Sequence, residues 1–379
     1  MTLHFHGKIK NVQYKAFLTS ELPQYDIDDF DINKAGSYGK IAFRGEEIAF
    51  SKWVSPKRTR TYPFERIYNT LNARMRLTVI PVLKDEGLDG DLDRIQYSTI
   101  SWMNLLNIYI VLAYYDKATK NIRPLQFAKN KISHQTYNSQ IVNKQILEII
   151  GGQLQSALHW NLALIENHFI EIYKLALESY DNISRSIGVR VHDRTLQEQY
   201  LAIIMREFQM FRDISLRGSR NAATRETLTL HAFEYLSDGM KAQFEIENYL
   251  GGIYHLTVDE VIKDELENLY IIQESKNSST RFLPGISDIK DGLFKLIIFS
   301  NLDTLELDSM PIGFKSRLKL TGKKVKGTLL MPCKENEVKE FLEMNAGNYS
   351  RRELDIIYKL NLESENNNRL EILIAQNYL

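Results

Sequence analysis

Two neighbouring runs, His255-Leu256-Thr257-Val258-Asp259-Glu260-Val261-Ile262 and Leu269-Tyr270-Ile271-Ile272-Gln273-Glu274-Ser275-Lys276, constrain this chain more than any other stretch. Both are dominated by apolar and β-branched residues, and the segment between them, Lys263 to Asn268, is polar, so a β-hairpin is the simplest way to join them. Side chains alternate along a strand. Glu274 and Lys276 therefore share a face about 7 Å apart, and Asp259 or Glu260 faces them across the pair. Carboxylates flanked by apolar residues are costly to keep ionised and close together, and a divalent cation removes that repulsion.

The chain of 379 residues is long for one core, so two domains, or one large domain with an appendage, are expected. Hydrophobic residues make up 44% and charged residues 25%, the mixture of an ordinary globular protein. With 48 basic and 48 acidic residues, any nucleic-acid partner must be gripped by a local basic surface and not by bulk charge. The single cysteine, Cys333, excludes an intramolecular disulfide and a cysteine-based zinc site. Residues 1–8 lack an apolar signal-peptide core, and no run approaches the length of a membrane span, so a soluble cytoplasmic protein without a membrane partner is expected. No phosphate-loop glycine motif occurs, and no nucleotide cofactor is expected.

Periodicity gives an α+β organisation. Residues 3–50 read as short strands with polar turns, an N-terminal sheet or small barrel, including the alternating Lys40-Ile41-Ala42-Phe43-Arg44. A basic segment interleaved with aromatics follows, containing Lys57, Arg58 and Arg60, and Pro63 opens a helix. Leu77–Leu83 and Ile108–Tyr115 have strand character, with a short helix over Thr99–Asn107 between them, which suggests a βαβ-like unit. From about Gln126 to Ser215 apolar residues recur at helical spacing, as in Leu162, Ile165, Phe169 and Tyr173. The periodicity breaks near Leu216–Asn221, so the expected division is an N-terminal region 1–222, a core 223–334 and a helical tail 335–379. Within the core the pattern predicts a helix over about Phe233–Leu250, the hairpin, a helix over about Asp288–Phe299, and short strands near Leu305, Leu318 and Leu330. In the tail, Ser350-Arg351-Arg352-Glu353 matches a capping box.

Phosphodiester hydrolysis uses hard carboxylate oxygens to hold Mg²⁺ beside the scissile phosphate and a cation near the attacking water. Asp259, fourteen intervening residues, and then Glu274-Ser275-Lys276 supply such a set. In this the chain resembles the PD-(D/E)xK nuclease superfamily, whose signature is an acidic residue ending one strand and (D/E)-x-K on the next. Its core likewise has a helix before the hairpin and another after it, here in Ser287–Lys295. The match covers about residues 230–310, and no proline precedes Asp259. The resemblance implies a restriction-endonuclease-like α/β core with a mixed sheet flanked by helices. It further implies that Asp259 and Glu274 ligate Mg²⁺, that the Ser275 carbonyl assists, and that Lys276 acts on the water. Glu260 competes with Asp259 for the ligand role, and a glutamate from the preceding helix, Glu234 or Glu245, is a further candidate.

Double-stranded DNA is the implied substrate, with Lys57, Arg58, Arg60, Arg217, Arg220, Ser278 and Arg281 as expected backbone contacts. The large N-terminal region points to sequence-specific cleavage of the type II restriction kind, and cutting both strands implies a homodimer. A repair or mobile-element nuclease of the same superfamily, or a non-catalytic DNA-binding protein with an ion-paired hairpin, are the alternatives. Lys84-Asp85-Glu86-Gly87 and Asp116-Lys117-Ala118 read as surface turns, and His4, His6 and His159 lack partners at ligand spacing.

Overall fold

The computed structural model describes residues 2–58, 60–122, 130–152, 156–206, 240–248 and 253–376. Two compact units emerge, residues 21–217 and residues 1–20 joined with 218–379. The opening strand β1 (Thr2–Ile9) thus belongs with the C-terminal half, and the chain passes between the units twice, after residue 20 and after residue 217.

In unit 21–217, five strands form a sheet ordered β2 (Gln24–Asp26), β3 (Tyr38–Phe43), β4 (Glu46–Lys52), β5 (Arg76–Pro81) and β8 (Tyr109–Ala113). Small pairs β6 (Leu83–Asp85) with β7 (Leu92–Arg94), and β9 (Tyr115–Lys120) with β10 (Ile132–Tyr137), complete its strands. The helices are α1 (Pro63–Tyr68), α2 (Tyr97–Leu105), α3 (Ser139–Gly151), α4 (Ala157–Asn167), α5 (Phe169–Ile187) and α6 (Arg194–Arg206). Strands β5 and β8 are parallel with α2 between them, the βαβ arrangement that the apolar runs predict. Helix α5 forms because Phe169, Ile172, Tyr173, Ala176, Leu177, Tyr180 and Ile183 recur every three or four residues and bury one stripe. It stops at Gly188, whose positive φ suits a residue without Cβ. The helical stretch begins later than expected, since Ile132–Tyr137 is a strand paired with β9.

The free edge of β8 is closed by side chains. Asn161, fully buried on α4, accepts from Ile110 N at 2.7 Å and donates to Ile108 O at 2.9 Å, while Gln145 of α3 accepts from and donates to the backbone of Leu112. A buried strand edge without such partners leaves orphaned polar groups. Asn161→Leu keeps the volume but strands both backbone groups, so it is expected to destabilise this unit by about 2–4 kcal/mol. Urea unfolding followed by circular dichroism measures this, and an unchanged midpoint refutes it.

The other unit is built on a nine-stranded mixed sheet. Its C-terminal strands are β11 (Met240–Asn248), β12 (Ile253–Asp264), β13 (Leu269–Ser278), β14 (Thr304–Leu307), β15 (Met310–Pro311), β16 (Gly313–Gly322), β17 (Thr328–Met331) and β18 (Leu370–Gln376). The order is β15-β14-β1-β11-β12-β13-β16-β18-β17. Strands β11, β12 and β13 run antiparallel in succession, and β13, β16 and β18 run parallel. Helix α7 (Ile286–Ser300) crosses from β13 back towards β16 and buries Leu293, Phe294, Leu296, Ile297 and Phe299. Helices α8 (Glu335–Met344) and α9 (Arg351–Asn366) precede β18, and the Ser350–Glu353 capping box opens α9.

The expected helix over 233–250 is overturned where the structure describes it. Ala242, Phe244 and Ile246 are buried and alternate with Gln243, Glu245 and Glu247, the period of two that a strand requires. Phe244 stacks on Phe5 of β1 and meets Phe299 of α7 edge-on. The tail 335–379 is likewise not wholly helical, because Leu370, Ile372 and Ile374 alternate inward and seat β18 between β16 and β17. Among the described residues no helix is long and apolar enough to cross a membrane.

Candidate active site

Asp259 sits at an irregularity in β12. Against β11, Ala242 pairs with Val258 and Met240 with Val261, so Lys241 alone stands opposite both Asp259 and Glu260. Such a bulge re-aims side chains. Against β13, Glu260 pairs with Gln273 and shares its face, where the Glu260 carboxylate accepts from the Gln273 amide. Gln273 in turn lies beside Arg317 of β16, which is paired to Glu371. Glu274 and Lys276 occupy the opposite face of β13, so alternation separates Glu260 from them. Asp259 reaches them instead, and its Oδ2 accepts from Ser275 N at 2.6 Å.

Two groups come from α7. Lys276 Nζ lies 3.2 Å from Glu274 Oε1 and 3.8 Å from Asp291 Oδ2, and Lys295 Nζ lies 2.8 Å from Glu274 Oε2. Gly292 faces the same cluster. A Cβ at that position would lie 3.2 Å from Lys276 Cε and 2.8 Å from Leu318 Cδ1, so glycine lets the helix settle over the lysine stem. Sequence reasoning missed Asp291 and Lys295. Their signal is two opposite charges four residues apart, and so on one side of a helix that also carries Asp288 and Lys290.

The electrostatics follow from three carboxylates facing two ammonium groups. Burial, reinforced by the neighbouring charge of Glu274, raises Asp259 to about 7. Burial also raises Asp291, to about 6, against the pull of Lys276. Glu274 is only 4% exposed, yet burial is outweighed by Lys295 and Lys276, which hold its carboxyl below the usual range. Burial acts to lower Lys276 and is outweighed by Glu274 and Asp291, so this lysine is held protonated. The cluster thus carries one negative charge in excess when every group is ionised.

No family model, curated protein or solved structure matches the chain. The site is therefore judged on its own chemistry. Among the described residues no three His, Cys, Asp or Glu side chains form a ready-made metal cage. Mg²⁺ does not require one, because it is commonly held by one or two carboxylates together with water and substrate phosphate. Asp259 and Glu274 offer hard oxygens, and the excess negative charge suits a divalent cation. Since both Glu274 oxygens are held by lysines, binding would require Lys295 to yield one of them.

The remaining expected residues divide sharply. Ser275 is at the site through its bond to Asp259, Ser278 ends β13, and Arg281 is exposed just beyond it, with its backbone N donating to Ser278 Oγ at 2.9 Å. Glu245 is not brought in: it follows Phe244, which faces α7, and so lies on the other face, 3.9 Å from His6 of β1. Glu234, Arg217 and Arg220 lie outside the described residues.

In unit 21–217, Lys57 is exposed, and the Arg58 guanidinium lies over the Trp102 ring. Arg60 is engaged by Glu86, Asp91 and Asp93. Asp85 and Glu86 are buried and not in a surface turn, with Asp85 2.9 Å from His192 Nδ1 and Glu86 2.8 Å from Lys84. This network ties Arg60 into the unit.

Proposed function

We propose that this protein is a Mg²⁺-dependent DNA endonuclease of the PD-(D/E)xK type, cutting in the sequence-specific manner of a type II restriction enzyme. The observation that carries the reading is the convergence of the half-buried Asp259 and Lys276 on the buried Glu274, on adjacent strands and under a glycine of α7. Groups whose proton affinities are displaced by burial together with a specific charge partner cluster at functional sites.

Asp259 and Glu274 would hold the ion, which when bound supplies charge neutralisation at the scissile phosphate and favours hydroxide. The Ser275 N–H fixes the Asp259 carboxylate, so that ligand is oriented in advance. Lys295 neutralises Glu274 from the helix side while no ion is bound and would give up its oxygen to the ion. Lys276, kept protonated by Glu274 and Asp291, presents an ammonium to the attacking water and to the charge that develops on the phosphate oxygens. Two such sites in a homodimer would cut both strands.

Incubating the purified protein with unmethylated phage DNA in Mg²⁺, with EDTA and Glu274→Ala controls, tests this. Discrete fragments absent from both controls are expected. A smear absent from both keeps the chemistry but removes sequence specificity, and intact DNA in Mg²⁺ and Mn²⁺ alike overturns the proposal.

A further inference from the structure

The turn after β16, Lys323-Lys324-Val325-Lys326, places three exposed lysines in four residues. The turn's backbone is fixed without them. Val325 is 1% exposed, and the buried Asn345 clamps Lys326, accepting from its N and donating to its O, both at 2.9 Å. At the other end Gly322 fits against the loop after β13 so closely that a Cβ would lie 2.3 Å from Phe282 O and 2.9 Å from Arg281 O. The charges thus contribute nothing to the shape of the turn and repel one another within it.

Two cations earlier on β16 are neutralised, whereas these three are not. Lys315 and Arg317, earlier on β16, are both paired with Glu371. Among the described residues Lys323, Lys324 and Lys326 join no salt bridge, in a chain of zero net charge. The register sets their place. Gly322 lies beside Ser278, two residues beyond Lys276, so the turn starts about 8 Å from the Lys276 backbone at ordinary strand spacings. That is two or three nucleotides along one strand, at about 3.4 Å of axial rise per phosphate.

We infer that Lys323, Lys324 and Lys326 form a backbone-binding surface that holds the DNA phosphates flanking the scissile position, with Arg281 beside it. This rests on the nuclease reading and names where its substrate lies. Contacts of this kind position the duplex without reading its sequence.

The test compares the full chain with its K323A/K324A/K326A variant, measuring affinity for duplex DNA by fluorescence anisotropy in EDTA across a salt series. The control variant, K339A/K359A, removes lysines already paired with Glu335 and Asp355. The triple variant is expected to bind at least about tenfold more weakly, with the slope of log affinity against log salt reduced by about 2–3, while the control is unchanged. Unaltered melting of both variants shows that folding is intact. If the triple variant binds and cleaves as wild type does, the surface is refuted and the nuclease reading stands. If binding depends on the turn but no DNA is cut in Mg²⁺ or Mn²⁺, the turn is a DNA-binding surface, but its place beside a scissile phosphate and the nuclease reading both fall. A wild-type chain that neither binds nor cuts refutes both.

Discussion

Lys276→Met is expected to reduce DNA cleavage by on the order of 10²–10³-fold while leaving DNA affinity nearly unchanged. Methionine keeps most of the stem that packs under Gly292, whereas alanine would leave a gap there, so the change isolates the ammonium. That ammonium sits 3.2 Å from Glu274 and is held protonated, which makes it an electrostatic group and not a general base. In the proposed reaction its effect would belong to the transition state, where charge grows on the phosphate, and only weakly to the bound ground state. The loss should therefore fall on kcat and not on KM. Single-turnover cleavage under saturating enzyme, with binding measured separately, distinguishes the two. Arginine should rescue poorly, because its planar fork does not reproduce a compact ammonium between Glu274 and Asp291. A variant that cuts at the wild-type rate would reduce Lys276 to a structural partner of Glu274.

Which parts of this arrangement are legible in the sequence follows from the range of the interactions involved. The hairpin is legible because its two strands are adjacent in the chain and rich in β-branched and other apolar residues, and Glu274 and Lys276 share a face by alternation alone. The choice between Asp259 and Glu260 is not, because the bulge opposite Lys241 and the register against Gln273 together decide it, and both depend on how three strands pair. Asp291 and Lys295 reach the cluster only through the packing of α7 on β13, a tertiary event that periodicity does not encode. Strand β1 shows the same limit at larger scale: Thr2 lies beside Lys241, and nothing local to either segment specifies that parallel pairing. Met240–Asn248 is different. Its alternation of Ala242, Phe244 and Ile246 with polar residues was available, but the helical pattern of the preceding segment masks it. The basic segment around Arg60 reads as a ligand surface until its partners are known, since Glu86, Asp91 and Asp93 are brought to it by folding.

Asp259→Asn is expected to stabilise the metal-free protein at pH 8 while abolishing its response to Mg²⁺. Burial first, and Glu274 second, raise the folded-state Asp259 to about 7 from an ordinary value of 3.8. A group raised in this way contributes stability below its unfolded value, and that contribution is lost as pH climbs through the folded value. At pH 8 the wild-type chain in EDTA therefore carries an ionised, poorly solvated carboxylate that costs on the order of 2–4 kcal/mol. The amide is neutral at every pH, and its carbonyl can still accept from Ser275 N, so the cost disappears and the orienting bond remains. For a unit of this size the gain corresponds to a melting shift of several degrees, at about 2–4 °C per kcal/mol, and it should vanish near pH 4. Mg²⁺ should raise the wild-type melting temperature at pH 8 by removing the same repulsion, and should leave the variant unmoved. Stabilisation on loss of a charged group is the signature of a site shaped for a ligand at the expense of the fold. The opposite result, a variant less stable than wild type at pH 8 with or without Mg²⁺, would mean that Asp259 serves chiefly to hold Ser275 in place, as in a hairpin with no catalytic role.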